Sequence, residues 1–380
     1  MDQSGSNGEG LIQAQRLSSG FVILEAYREF KEGVDSMKML EQRPGPPQLH
    51  WWGKTGALVD ISNGIMKDSR VFRIDSDDWI EKYNKEGGAN TVKDQALQRL
   101  KREGWHSVRP ALATTVRAWI MCGFMAITIT KRATVAMEYY SRVIDILEWG
   151  RRTWANVPKI DRGVIFELSF IRGAKRLRLN ALHEILASKV KDSHYIRENL
   201  VEWCRDLIAE TDANPPAQGT EIDPSTILAF WVYPKGDALA ILGWHHMQLG
   251  LAAEDAEDAN AKFTESARYY IKAAHTFPED DEKRPYYLKV AIEAYWFQNK
   301  PLDDVLLLTA GISHCFPKVL GLWEHSATMK EMAQNVVQAF EFAFICREAI
   351  DKGEISMKDI VKPKSLKRTD RWATPAVKYV

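Results

Sequence analysis

Residues 267–278 read ARYYIKAAHTFP, and the spacing inside this stretch decides how the chain is understood. Ala267 and Ala274 are small, Ile271 between them is bulky, and Pro278 closes the run. Positions three and four apart share one face of an α-helix, so these residues form a small–large–small stripe. Small residues let a second helix approach closely, the bulky one fills the wedge, and proline ends the helix because it lacks an amide donor. Glu279, Asp280, Asp281 and Glu282 follow directly. The stretch is therefore either half of a helical hairpin or, with His275 beside a run of carboxylates, part of a reactive or metal-binding site.

Outward from this point, helical periodicity covers most of the chain. Downstream it runs over 284–299 and 301–314, with a last long pair over 318–352. Upstream it covers 260–277 and 236–254, and nearly continuously 110–128, 131–154, 161–188 and 193–211. FVILEAYREFKEG (21–33) spaces Phe21, Leu24, Tyr27 and Phe30 as one helical face, with Gly33 as its C-terminal cap. DSDDWIEKYNKEGG (75–88) and NTVKDQALQRLKREG (90–104) read as helices with Asp or Gly at their ends. ALVDISNGIMKDSRVF (57–72) is a further candidate helix. RVFRI (70–74) and ILAFWVY (227–233) admit helix or strand, and EQRPGPPQLHWW (41–52) interrupts regular structure with its prolines. Nothing demands a strand, so the class is all-α.

The expected organisation is a disordered glycine- and serine-rich start (1–15), an N-terminal helical region (16–211), a linker (212–225), C-terminal hairpins (226–352) and a loosely ordered basic tail (353–380). The linker rests on ETDANPPAQGTEIDPS (210–225), which is polar and rich in proline and glycine.

Bulk properties narrow the partners. Across 380 residues, Lys plus Arg and Asp plus Glu both number 51, so no net field draws in nucleic acid or an anionic membrane. The 13 tryptophans supply large buried areas, which suits helices meeting over limited contacts. Cys122, Cys204, Cys315 and Cys346 lie far apart, which fits neither a zinc knuckle nor a disulfide framework and suits a reducing compartment. MDQSGSNGEG at the start has no signal-peptide pattern. AWIMCGFMAITIT (118–130), flanked by Arg117 and Lys131, is too short to span a bilayer, which needs about 20 apolar residues. A cytoplasmic protein that binds neither nucleic acid nor membrane is the expectation.

Candidate chemistry is sparse. His245 and His246 in GWHHMQLG (243–250) are adjacent, about 100° apart on a helix, and do not converge on one metal as an i, i+4 pair does. The runs DSDDW (75–79), PEDDE (278–282) and LDDV (302–305) fall where aspartate stabilises helix N-termini. Magnesium-dependent all-α chemistry would need a full Asp-Asp-x-x-Asp and a second motif facing it, and neither occurs. There is no GxSxG, P-loop or GxGxxG. RGAKRLRL (172–179) is a basic stripe, solvated or facing a partner. No catalytic residue, cofactor or metal ligand is assigned.

Paired helices with short joints resemble the tetratricopeptide repeat (TPR), a hairpin of roughly 34 residues. Its first helix carries Trp, then Leu-Gly, then Tyr; its second carries small, aromatic and small residues and a closing Pro. Ala267, Ile271, Ala274 and Pro278 are similar to the second helix, and Leu249 and Gly250, with Trp244 upstream, to the first. Trp244 is two residues early, and AEDAEDANAK lengthens the joint. A second match places Trp119, Cys122 and Gly123 in the first helix, with Cys for Leu, and Ala136, Tyr140 and Val143 in the second. Residues 286–317 keep the rhythm and the closing Pro317. HWWGKTGALVDISNGI (50–65), EWGRRTW (148–154) and RGVIFELSFIRG (162–173) resemble segments of a family of uncharacterised fungal TPR-like proteins.

The resemblance implies antiparallel helical hairpins stacked into a TPR-like right-handed superhelix. Its implied function is a non-catalytic scaffold or adaptor that holds a protein or peptide in a concave groove. In that register Trp244 and Met247 point into the groove, Arg117 takes the equivalent place in the earlier repeat, and Tyr287 comes from the next first helix. Two alternatives remain: an all-α small-molecule enzyme or binder using Asp-bound magnesium, and a structural subunit of a homo-oligomer with Trp-rich edges buried between copies.

Overall fold

The computed structural model describes residues 17–39, 41–43, 50–52, 56–72, 89–188, 194–217, 222–367 and 370–380. The expectations of a disordered start over 1–15 and of a helix over 75–88 lie outside these residues. The described chain is all-α. Its helices are α1 (Ser19–Lys38), α2 (Ala57–Asp68), α3 (Ala89–Glu103), α4 (Trp105–Thr128), α5 (Ala133–Thr153), α6 (Leu168–Ala187) and α7 (His194–Ala213). They continue with α8 (Tyr233–Ala252), α9 (Ala256–Thr276), α10 (Lys283–Phe297), α11 (Leu302–Trp323) and α12 (Met329–Asp351). Two short ladders complete it: β1 (Glu41–Arg43) antiparallel to β2 (His50–Trp52), and β3 (Val361–Lys362) parallel to β4 (Lys378–Tyr379). ILAFWVY proves helical, since Pro224–Ile227 and a π-turn over Leu228–Val232 lead straight into α8.

Contacts divide the chain into an N-terminal unit, Phe21–Pro234, and a C-terminal unit formed by Lys235–Val380 with the residues up to Gly20. Residues 228–232 belong to the first because their rings are used there. Phe230 abuts Gly173 of α6, and Trp231 lies 4.8 Å under the Arg172 guanidinium.

In the N-terminal unit α4 is the central element, packed on α2, α3 and α5, while α5 also packs on α6. Val116, Ile120, Met121, Ile144, Leu147 and Phe166 form its core. Glycines set the closest approaches, because a Cβ there would collide with the opposing helix. A Cβ on Gly123 would lie 2.5 Å from the Tyr140 ring, and one on Gly64 would lie 2.9 Å from Ala26 O. Gly33 behaves the same way. It does not cap α1, which continues to Lys38; instead it sits mid-helix, where a Cβ would lie 2.6 Å from Ile61. Close packing of α1 on α2 outweighs glycine's poor helix propensity there.

The C-terminal unit is built on one antiparallel register. Gly236, Gly243 and Gly250 of α8 face Phe277, Tyr270 and Phe263, respectively. Added Cβ atoms would sit 2.6, 2.9 and 2.7 Å from those rings. Both sets advance seven residues at a time in opposite directions, so each ring sits against bare backbone two turns from the next. Ser266 Oγ, fully buried, donates to Gly243 O at 2.8 Å. The wedge residue is thus Tyr270, 5% exposed, and not its neighbour Ile271, which is half-buried. Ala267 and Ala274 are buried as the spacing predicts.

From there the helices stack in order. Tyr287 of α10 rests on Tyr270 and Phe277 of α9, with ring centroids 5.8 and 5.7 Å apart. Helix α10 packs on α11, α11 on α12, and α10 also touches α12, where Trp296 meets Phe342 edge-on at 5.2 Å. Helix α11 does not stop at 314. It runs through the exposed Pro317 to Trp323, because Val319 and Trp323 beyond it are buried and repay the lost hydrogen bond. Accordingly the pattern over 318–352 contains one new helix, α12, rather than two.

The acidic run ends helices and starts others. Asp281 Oδ1 accepts from Lys283 N at 2.9 Å at the start of α10. Asp280 accepts from Ser19 N at 2.8 Å and Ser18 Oγ at 2.5 Å, so it caps α1 from far away in sequence. The stretch after Gly353, read as a loose tail, is pinned on the same unit. Met357 O and Asp359 O accept from the first amides of α11, and Lys362 and Asp370 form an ion pair with both side chains wholly buried.

Candidate functional site

Concave sites lie in both units, including one of about 720 Å³ between α3 and α4 of the N-terminal unit. In the C-terminal unit a cavity of about 420 Å³ lies between α10 and α12. Helix α10 contributes Glu293, Trp296 and Phe297; α12 contributes Glu341, Phe342 and Ile345. Pro363, Leu366 and Val380 of the C-terminal stretch form one side. Buried Lys289 pairs with Glu293 one turn on and lies 5.8 Å over the Trp296 ring. The indole Nε1 of Trp296 is buried with no hydrogen-bond partner among the described residues. Such a donor costs about 1–3 kcal/mol while it stays unsatisfied.

In the N-terminal unit two adjoining cavities, about 330 and 530 Å³, share Val59, Arg117, Lys159 and Val164. Arg117 on α4 is 4% exposed. Its Nη1 donates to Ser62 Oγ at 2.6 Å, Asn63 Oδ1 at 2.8 Å and Val59 O at 3.3 Å, and its guanidinium lies 5.0 Å from the Phe170 ring centroid. Every acceptor is neutral. Burial pushes its pKa down to about 10, against the opposing fields of Glu29 and Asp60, so it remains cationic at neutral pH. Glu29, on the wall of the smaller cavity, is held above the usual carboxylate range, first by burial and against the field of Lys67, 3.3 Å away. Its Oε2 is buried without a hydrogen bond.

The residues singled out from sequence fall in different surroundings. Arg117 lines both cavities of the N-terminal unit. Met247 is 6% exposed and belongs to the core of the C-terminal unit. Tyr287 is held by the aromatic stack between α9 and α10, and Trp244 is half-buried on α8. None of the last three lines the cavities above. His245 and His246 stand edge-on at 5.4 Å, and His246 stacks on Tyr269. His275 stands on the outer side of α9, and partial desolvation of its ring, then the charge of Arg284, holds its pKa below the usual value. Of the basic stripe, Arg172 and Arg176 are buried: Arg172 pairs with Glu210, and Arg176 donates to Lys67 O. The stripe is therefore internal bonding, not a solvated face.

Sequence reading missed the walls of both sites. The larger of the two adjoining cavities is lined by Pro110, Ala113, Ile160, Val164 and Ile165, from segments about fifty residues apart. The one local signal is PKIDRGVIF, where Ile160 stands alone between charged residues and Val164 follows Gly163. Both prove exposed, at 76% and 53%.

Four cysteines are free and buried. Among the described residues, no three His, Cys, Asp or Glu side chains cluster as metal ligands would. Helices α4 and α11 are long and apolar enough to cross a membrane by length and composition; most of α4 is buried inside the protein, and most of α11 is not. No protein-family model, curated protein or solved structure matches the chain. What is defined is an all-α protein with stacked helix contacts.

Proposed function

We propose that the chain is a non-catalytic, TPR-like helical-repeat scaffold, cytoplasmic, that holds a protein or peptide on the first helices of its C-terminal hairpins. The order of neighbours supports the repeat reading. Each helix from α9 to α12 touches the next, and α10 also touches α12, as first helices of successive hairpins do. The sequence resemblance to fungal TPR-like proteins points the same way.

The observation that carries the binding reading is the groove between α10 and α12. It combines half-open Phe297 and Ile345 with an indole donor that lacks an acceptor. An extended peptide offers both an apolar side chain and a carbonyl. The groove also replaces Trp244, Met247 and Tyr287 as the place to test, since changing the buried Met247 would read stability instead of binding. Ile345→Asp and Gln338→Arg alter exposed positions on its rim. Affinity capture from native lysate should lose its specific partners with these variants while circular dichroism stays unchanged; an unchanged partner set refutes the reading.

A second reading, a structural subunit of a homo-oligomer, is favoured by one observation. Leu307, Val337 and Phe344 on α11 and α12 are 72%, 45% and 62% exposed. Sedimentation of the purified chain separates the two, since a scaffold of this kind sediments as a monomer.

A further inference from the structure

The two-lobed cleft belongs to the N-terminal unit, and its chemistry is specific. Arg117 uses only Nη1 on the protein. Its Nε and Nη2, the edge that grips a carboxylate with two parallel hydrogen bonds, make none among the described residues. No carboxylate lies within ion-pair distance of it among those residues: its hydrogen bonds all go to neutral groups, and the charges of Glu29 and Asp60 act on it without pairing with it. Burying a charge without a counter-ion is costly, and a ligand anion would relieve that cost. Lys159, exposed at the junction of the two lobes, has no ion-pair partner among the described residues either.

The remainder of the lining says which anion. Three cations (Lys67, Arg117, Lys159) and two carboxylates (Glu29, Glu167) line the smaller lobe, an excess of one positive charge. That balance suits a monoanion, whereas a dianionic phosphate would face both carboxylates. The larger lobe, about 530 Å³, is walled mainly by Val59, Pro110, Ala113, Ile160, Val164 and Ile165. It falls within the usual size range of small-molecule pockets, about 300–1,000 Å³. Arg109, the other cation there, already donates to Ile160 O at 2.6 Å and so braces the apolar wall. Ile160 and Val164 are unusually open for large aliphatic residues, and both belong to this wall.

We infer that the cleft binds a small amphipathic monocarboxylate, its head group on Arg117 and Lys159 and its apolar body along Val59, Pro110, Ile160 and Val164. The apolar surface gives most of the affinity, and the guanidinium fixes orientation and charge sign.

Calorimetric titration of the full chain with octanoate tests this, with octan-1-ol, octylamine and inorganic phosphate as comparisons. Octanoate should bind saturably at one site, and the three comparisons should bind at least about tenfold more weakly, the loss of one charge-assisted contact. Lys159→Glu and Val164→Asp change exposed positions and leave the fold intact by circular dichroism. Each should weaken octanoate by about tenfold or more. Arg117→Lys keeps a charge but not the planar fork, and should weaken it as well. If that buried variant does not fold, the two exposed ones decide. No saturable octanoate binding, octan-1-ol or phosphate binding as tightly as octanoate, or wild-type affinity in either exposed variant overturns the inference.

Discussion

Several glycines set the closest helix approaches in this fold, and their effect is local enough to test one methyl at a time. Gly243→Ala would place a Cβ 2.9 Å from the Tyr270 ring, and Gly250→Ala would place one 2.7 Å from Phe263. Neither ring can retreat, since Tyr270 is itself held by Tyr287 and Phe263 stacks on Phe297 at 4.9 Å. Each substitution should cost about 1–3 kcal/mol by overpacking, read as a lower urea midpoint. Gly321→Ala is the control. It lies on α11 with nothing within 4 Å of the new methyl, and should be neutral or stabilising by up to about 1 kcal/mol through helix propensity. Equal losses at all three positions would show that the register of α8 on α9 is not what the glycines serve. This level was partly legible in sequence. The spacing puts Gly123 and Tyr140 on successive helices, and the two meet in the structure, whereas Ile271 takes the place of Tyr270 in the sequence reading because a one-residue slip leaves the pattern of small residues intact.

At the scale of elements, sequence located helices well and misjudged their ends where tertiary contacts decide. Gly33 and Pro317 are both stop signals by local rules, and both lie inside helices because the residues beyond them are used. Joints between helices carry an electrostatic element that local rules also do not show. Glu279, between α9 and α10, accepts a hydrogen bond from Lys318 of α11, and that bond, with the charges of Lys318 and Arg284, holds its pKa below the usual 4.5. A carboxylate depressed in the folded state contributes stability that is fully present above 4.5 and is lost as pH falls through its folded value. Urea midpoints followed from neutral to acid pH should therefore show a decline below 4.5 that is shallower in Glu279→Gln. The difference will be small and weaker at high salt, since both groups are partly open to solvent. A variant whose acid limb superimposes on the wild type would remove this clamp from the account.

At the scale of the whole molecule, the all-α class was plain from periodicity, but the behaviour of the last 28 residues was not. VKPKSLKRTDRWATPAVKYV has no periodicity, two prolines and many charges, so composition alone reads it as loose. What composition cannot show is that one of those charges has a buried partner. Lys362 Nζ meets Asp370 at 2.5 Å, both side chains fully enclosed, while Asp370 Oδ1 also accepts from Trp372 N at 3.1 Å. The pair joins β3 to the loop that returns to β4, and Lys364 N donates to Val380 O beside it. Removing one partner strands the other's charge in the interior. Lys362→Met should thus cost about 3–5 kcal/mol, because Asp370 would be left buried and unpaired. Replacing both, as Lys362→Met with Asp370→Leu, should recover most of that loss, since a well-packed apolar pair is often as stable as a buried ion pair. The urea midpoints of the single and double variants form a cycle whose coupling term should exceed about 1 kcal/mol. Hydrogen exchange gives the matching structural readout. In Lys362→Met the first amides of α11, held by Met357 O and Asp359 O, should exchange faster, and in the double variant they should return towards the wild-type rate. A loose tail would leave all three proteins with the same midpoint and the same exchange.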